Sequence, residues 1–482
     1  MPTKEITSGS LKQLWRVTMP LMISSLSMFT MLFVDRLFLS RYSTEALNAA
    51  AEAGTLCWAV LYAIMTLAMM AEIFVAQYNG AKEHKRLGEP VWQMIWFSLF
   101  TLLFFIPAGI WGASAIYGGG NVHDMVYARW FMFASFPFVL QSALSAFFIG
   151  QGKTSIVRWL AILGNVVNII LDPILIFGIK GWVPSMGIPG ALIATGIGSA
   201  IQCVIFAILF LKKENRDTFG TGNYRFAPKR MWACLKVGFP PAITNFWELL
   251  GWAAFYWMMA KISPEHILTA SVVQSILMFF LFFGFGLEKG TATVSGNLIG
   301  AKKHDKIKEL MRSAVKLIGI YTLIVLIFFV IYPDFMLDTF LDNTNLLDNP
   351  GAGVMALATK AKVKSLARWG MIMTAIYITV ENFRWVLSGI LISAGDTMFI
   401  MVSGVAAVWL FLILPTYFFV MVPQSSVKSA FFIWVLYSVM AMGILLFRFL
   451  QGKWKEKNLL DETGDASEET AEVTLDNKLK DH

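Results

Sequence analysis

Twelve times along this chain, an apolar run reaches the roughly 20 residues a helix needs to cross a bilayer. The runs lie near 14–39, 47–78, 90–116, 127–149, 156–179, 188–211, 234–260, 266–297, 314–333, 366–394, 398–422 and 428–450. No polar linker separates soluble domains within 10–452. A β-barrel requires short segments of alternating polarity, and these runs are too long and too continuously apolar. Charged residues make up 15% of the chain, against about 25% in a soluble domain. A disordered protein, a collagen-like fibre and an ordinary soluble enzyme are thereby excluded. The expected fold class is an all-α integral membrane protein with twelve transmembrane helices.

Charge distribution sets the expected orientation. Residues 453–482 hold five Lys/Arg and nine Asp/Glu, a net of −4, so the rest of the chain carries +12 of the total +8. With both termini in the cytoplasm, the inner segments collect 25 Lys and Arg, and the outer loops hold far fewer. That asymmetry is the positive-inside pattern. It explains the basic balance without nucleic acid, and no nucleic-acid partner is expected. The first ten residues are polar and the first apolar run belongs to a long helix, so no cleavable signal peptide is expected.

The longest inner connection falls midway and predicts two six-helix lobes. Val17/Val237, Pro20/Pro240 and Ile23/Ile243 recur at an offset of 220. Gly80/Gly300, Ala81/Ala301, Lys82/Lys302 and His84/His304 share that offset. GKT at 152–154 and GDT at 395–397 are 243 apart, which implies an insertion around 341–365. Both halves start from the same side, so the repeat is parallel, about an axis along the membrane normal. The expected domains are an N-terminal lobe at 1–211, a cytoplasmic linker at 212–233, a C-terminal lobe at 234–452 and an acidic, disordered cytoplasmic tail at 453–482.

Ionisable residues inside a membrane are costly, and each is a functional candidate by default. Asp35 lies late in span 1. Asp172 lies in span 5, one turn after Asn168 on the same face. Glu248 is midway along span 7 and Glu381 midway along span 10. Carboxylates with amide or hydroxyl oxygens suit a hard cation or a proton. Arg384, three residues after Glu381, is placed to neutralise it. Glu248 has no basic residue within a turn of its own helix. Unless another helix supplies one, the two acids should therefore behave unequally. Glu288 and Lys289 in span 8 are adjacent, not facing, and are placed to flank a polar opening. Trp247, Trp252 and Trp385 lie near the two C-terminal acids in sequence, where aromatic faces suit organic cations.

Other chemistry finds no support. IGQGKTS at 149–155 has Phe147 where a phosphate loop requires glycine, and no strand precedes it. Cys57, Cys203 and Cys234 are isolated. His84, His123, His266, His304 and His482 lie in loops or the tail, without metalloprotease spacing. No nucleophile–base set points to an enzyme, and no filter-like loop to a channel.

Six stretches resemble the MATE family, the multidrug and toxin extrusion transporters, in its NorM-like form. They are FVDRLFLSRYSTEALNAAA at 33–51, FVAQYNGAKEHKRLGE at 74–89, NVVNIILDPILIFG at 165–178, MGIPGALIATGIG at 186–198, VGFPPAITNFWELLG at 237–251 and AIYITVENFRWVLSGILISAGDT at 375–397. The resemblance covers nearly all of 10–450. It implies a two-lobe, twelve-span fold and cation-coupled export. By position, Asp35, Asn168, Asp172 and Thr195 match the family's N-terminal-lobe cation or proton site. Glu248 and Glu381, with Tyr377 one turn before the latter, match the acidic pair of the other lobe. Na⁺ is thus a candidate ligand at Asp35, Asp172, Glu248 and Glu381. Gln274 matches a cavity-facing amide. Arg36, Arg384, Glu288 and Lys289 depart from the family's pattern.

The expected function is a monomeric antiporter of a bacterial inner membrane. It would export amphipathic, cationic drugs or toxins in exchange for Na⁺ or H⁺, with membrane lipids as neighbours and no cofactor beyond the coupling ion. The alternative is a lipid-linked precursor flippase of a related two-lobe fold.

Overall fold

The computed structural model describes Ile6 and residues 8–342, 353–457 and 459–462. Most of the acidic tail and part of the 341–365 insertion lie outside the described residues. Span 1 is Leu11–Tyr42, span 2 Thr44–Gly80, span 3 His84–Tyr117, span 4 Val122–Gly150, span 5 Thr154–Ile176 and span 6 Ile188–Phe210. Span 7 is Pro228–Ile262, span 8 Pro264–Phe280 with Phe282–Gly300, span 9 His304–Ile331, span 10 Gly353–Ser393, span 11 Thr397–Met421 and span 12 Val427–Gln451.

Ten of these helices are long and apolar enough to cross a membrane, counting residues 361–393 of span 10. An eleventh is the span 8 pair, bent by 42° at Leu281. Span 7, at 35 residues, is long enough to cross but is not among the eleven; it contains Pro240, Pro241 and Glu248.

The repeat legible in the sequence is also present in the backbone. Ser43 caps span 2 by accepting from the Ala46 amide, and Ser263 caps span 8 by accepting from the His266 amide. The two serines are 220 residues apart. Lys82 and Lys302 both adopt left-handed φ values, 65° and 57°. This conformation is costly for a residue with a Cβ. Both lobes turn there from a helix into a short 3₁₀ segment, His84–Arg86 and His304–Lys306. Gly152 and Gly395, the paired glycines of GKT and GDT, have φ of 69° and 80°.

The lobes meet at matching ends of spans 2 and 8. Gln77 Nε2 donates to the Ser393 carbonyl at 2.7 Å, and Asn297 Nδ2 donates to the Gly150 carbonyl at 2.9 Å. Gln77 and Asn297 are equivalent in the repeat, as are Gly150 and Ser393, so each lobe makes the same bond to the other. Glycine is required at the crossing. A Cβ on Gly80 would lie 2.0 Å from the Asn297 carbonyl oxygen, and one on Gly300 would lie 2.0 Å from that of Gln77. Asn79 completes the seam by donating to Asn297 Oδ1 at 2.6 Å. Gln77, Gly150, Asn297 and Ser393 are buried, and Asn79, Gly80 and Gly300 half-buried, so the two lobes are in close contact at this end of their interface.

The connection between lobes begins with a helix at Lys213–Phe219 that stops at left-handed Gly220. Residues 221–227 then lie along span 3. Trp92 Nε1 donates to the Thr221 carbonyl at 2.8 Å, and Gln93 clamps Arg225 and Ala227 through its amide.

Candidate functional site

In the N-terminal lobe, the helical period places Asn168 and Asp172 on one face of span 5, toward spans 1 and 6. Asn168 Nδ2 lies 3.3 Å from Asp172 Oδ1 and 3.1 Å from Thr195 Oγ1. Thr195 Oγ1 lies 3.3 Å from Asp35 Oδ2 and 2.9 Å from the Ala191 carbonyl. All four N-terminal candidates are therefore brought together from three helices. Thr195 has one hydroxyl proton for two acceptors. Asp35 Oδ1, Asn168 Oδ1 and Asp172 Oδ2 are buried with no hydrogen-bond partner. This cluster, buried at Asn168, Asp172 and Thr195 and half-buried at Asp35, holds more acceptors than donors. One proton or one small cation would supply the missing positive charge. Arg36, adjacent to Asp35, is exposed and makes no ion pair with it.

The polar interior continues along the same lobe. Asn165 Nδ2 donates to Ser27 Oγ, and Gln141 donates to Gln202 Oε1 at 2.7 Å. With Gly164 abutting the Gln202 amide, spans 4, 5 and 6 share a column of amides leading from the Asp172 cluster.

The C-terminal lobe is organised differently. Arg384 Nε donates to Glu381 Oε2 at 2.6 Å, and Arg384 Nη2 donates to Glu248 Oε1 at 3.2 Å. Tyr437 on span 12 donates to the same Glu248 oxygen at 2.8 Å. Glu248 therefore has the cationic partner its own helix lacks, and the expected inequality of the two acids loses its basis. The Glu381 side chain is 1% exposed and that of Arg384 12%. Two carboxylates around one guanidinium leave a net −1.

The aromatic candidates divide by location. Trp252 packs among Phe255, Tyr377, Trp434 and Tyr437, so it walls the Glu248 site and brings Tyr377 with it. Trp385 lies over Gly284 and stacks on Phe285 at 4.8 Å, toward span 8. Trp247 meets Trp409 edge-on at 6.0 Å and is 40% exposed. Gln274 is half-buried in the first part of span 8.

Sequence reasoning missed Glu72. It lies on span 2 just after the helix break at Met70, its side chain buried and its Oε2 without a partner. The charges acting on it are Lys289 and Glu288 of the other lobe. The rule that singled out Asp172 applies equally to a glutamate in MMAEIFVAQ. Tyr437 carried no such signal, because tyrosine is common in spans and its role arises from meeting Glu248.

Among the described residues no group of three or more His, Cys, Asp or Glu side chains converges. The sites are therefore carboxylate pairs supplemented by amide, hydroxyl or guanidinium.

Known proteins share this arrangement of helices. A probable multidrug resistance protein NorM from Thermotoga maritima is 21% identical over 459 residues, which is 93% of this chain and 94% of that protein. One of the same description from Bacillus cereus is 27% identical over 317 residues, 64% of this chain and 70% of that protein. Among solved structures, the Vibrio cholerae MATE transporter VcmN superposes with a TM-score of 0.78 at 15% identity, covering 93% of this chain and 98% of that one. A MOP superfamily transporter from Pyrococcus furiosus superposes with a TM-score of 0.79 at 17% identity, covering 95% and 100%. The MatE family profile matches residues 20–174 and 240–418. With two helical lobes and most of its length matched, this chain belongs to the MatE family and is a multi-pass membrane transporter of the multidrug type, not an enzyme.

Proposed function

We propose that the protein is a cation-coupled antiporter that exports amphipathic, cationic organic compounds, drugs or toxins, from a bacterial cytoplasm. One observation carries the reading. Three buried oxygens without hydrogen-bond partners belong to Asp35, Asn168 and Asp172, residues linked through Thr195 and Asn168 Nδ2. A site this rich in acceptors inside a membrane favours a bound H⁺ or Na⁺. Occupying it changes the relative energies of the inward- and outward-open arrangements only if the ion binds one more tightly. Glu248, Glu381 and Tyr377 form a second candidate cation or proton site, and Arg384 already supplies positive charge there. Trp252, with Gln274, Trp247 and Trp385 further out, supplies aromatic and amide surface for substrate. In this reading the chain works as a monomer among the lipids of a bacterial inner membrane, with both termini in the cytoplasm. The coupling ion takes the place of a cofactor.

The test is transport of a fluorescent organic cation by purified protein in liposomes, with Na⁺ and H⁺ gradients imposed separately. Uptake or efflux driven by one of the two supports the reading. Movement that ignores both gradients sinks it. The flippase alternative predicts movement of a lipid-linked precursor and none of the cation.

A further inference from the structure

Two interior charges stand apart from the pairs described above, and they belong to different lobes. Lys289 is a half-buried ammonium on span 8. Among the described residues its one polar contact is the Met69 thioether of span 2, with Nζ 3.6 Å from Sδ. A thioether is a weak acceptor, and no described carboxylate lies within salt-bridge distance of that nitrogen. Met69 and Lys289 are equivalent in the repeat, so the contact lies near the axis relating the lobes. Glu72, one turn along span 2 from Met69, presents a buried carboxylate oxygen with no partner. Arg384 offers the contrast: it is the other cation in this region, and Glu248 and Glu381 engage it fully.

Lys289 and Glu72 feel each other's charge across the lobe boundary, but neither is in a contact ion pair among the described residues, and such a separated pair inside a membrane is expensive. A bound molecule carrying both charges would relieve both at once. Tyr62, two turns before Met69 on span 2, lies in the field of Glu72, Glu248 and Glu288 and is 39% exposed. It offers an aromatic face on the same helix as Glu72.

We propose that Lys289 and Glu72 form a clamp between the lobes that selects zwitterionic amphipathic ligands, with Lys289 taking the anionic group and Glu72 the cationic one. This rests on the transporter reading in that it places the ligand between the two lobes. It narrows the substrate class, because an export site built for cations alone has no use for an unpaired lysine. A carboxylate on the ligand would exchange the Met69 sulfur for a charge-assisted hydrogen bond. Binding from both lobes at once would also tie ligand occupancy to their relative position.

The experiment uses the full chain in detergent, with fluorescence anisotropy of rhodamine B, a zwitterion, and of its ethyl ester, which lacks the carboxylate. Wild type is expected to bind rhodamine B more tightly than the ester. Lys289→Met should weaken rhodamine B about tenfold or more and leave the ester within about twofold. Lys289→Arg should retain the preference. Glu72→Gln should weaken both dyes. Retained ester binding shows that the Lys289→Met protein is folded; should that variant not purify, Lys289→Gln is measured in its place. Equal weakening of both dyes by the lysine variant, no change in either, or wild-type protein that binds neither dye overturns the proposal. No gradient is involved, so dye binding without gradient-driven flux would sink the antiport reading and leave the clamp standing.

Discussion

Arg384 on span 10 donates to Glu248 on span 7, Nη2 to Oε1 at 3.2 Å, while the same guanidinium holds Glu381 at 2.6 Å. The two acids of the C-terminal lobe are thus one charge cluster rather than independent sites. Removing either acid leaves Arg384 with the other. Removing Arg384 leaves two carboxylates facing each other, one of them fully buried.

Glu248→Gln and Glu381→Gln should therefore reduce transport by similar factors. Arg384→Met should be the most damaging of the three. Losing one partner of a buried ion pair costs about 3–5 kcal/mol, so this variant should also melt at a clearly lower temperature. Initial efflux rates normalised to membrane protein, with thermal melts in detergent, measure both. A silent Arg384→Met would show that the guanidinium does not hold the acids in the membrane.

In the N-terminal lobe, Asp172→Asn and Asp35→Asn each remove one charge from the Thr195 cluster and keep its shape. Each should reduce gradient-driven transport at least about tenfold, a loss of roughly 1.4 kcal/mol, while the protein remains folded. Liposome flux under the driving gradient is the measurement. Wild-type rates in both variants would make the cluster structural.

Orientation can be tested with single cysteines, because Cys57, Cys203 and Cys234 are all buried and contribute little background. A cysteine at Ser185, exposed after span 5, should be labelled by an impermeant reagent from outside intact cells. One at Asn223, exposed on the connection between lobes, should be labelled only after lysis. Thr221 in the same connection is fully buried and would report nothing. The reverse labelling pattern would invert the topology.

Asp396 pins the end of span 12 to the turn after span 10. It accepts from Arg448 Nε at 2.6 Å and from Lys457 Nζ at 2.6 Å. Burial opposes its ionisation, but these hydrogen bonds and charges prevail and hold the carboxyl below its ordinary value. A depressed folded value means the stabilisation is fully present above about pH 4. It is lost as the pH falls further, through the folded value. Asp396→Asn should lower the melting temperature at pH 7, for a loss of about 3 kcal/mol. The gap from wild type should close as the pH is taken below 4. A gap that persists unchanged in acid would mean the charge is not the cause.

Glycine at the crossing of spans 2 and 8 gives a last expectation. Gly80→Ala and Gly300→Ala each drive a methyl into a backbone carbonyl of the other lobe. Each should loosen the contact between the lobes there, so that a cysteine replacing buried Gln77 becomes labelled from the cytoplasmic side faster than in the parent. Unchanged labelling would mean the lobes part there without help.

The membrane class, the number of helices and the doubling of the lobe were determined by the sequence alone. An apolar run that must satisfy its own backbone in lipid can only be a helix. An offset of 220 carried by Pro20/Pro240 and Gly80/Gly300 survives because the same turn and the same close approach are needed twice. Asp35, Asn168 and Asp172 were legible as candidates too: a charge in lipid is conspicuous, and Asn168 and Asp172 share a helical face, whereas Thr195 entered only through the family resemblance. Pairing was not legible. Arg384 could be read against Glu381 because both lie on one helix, but its bond to Glu248 depends on how spans 7 and 10 pack. Tyr437 joins Glu248 for the same reason. Lys289 and Glu72 are far apart in sequence, and only the docking of the lobes sets them opposite each other, with neither in a contact ion pair among the described residues. Helical period reports neighbours three or four residues apart. Which charges meet between helices is decided by tertiary packing, and here that packing gives Arg384 two acids and Lys289 only a sulfur.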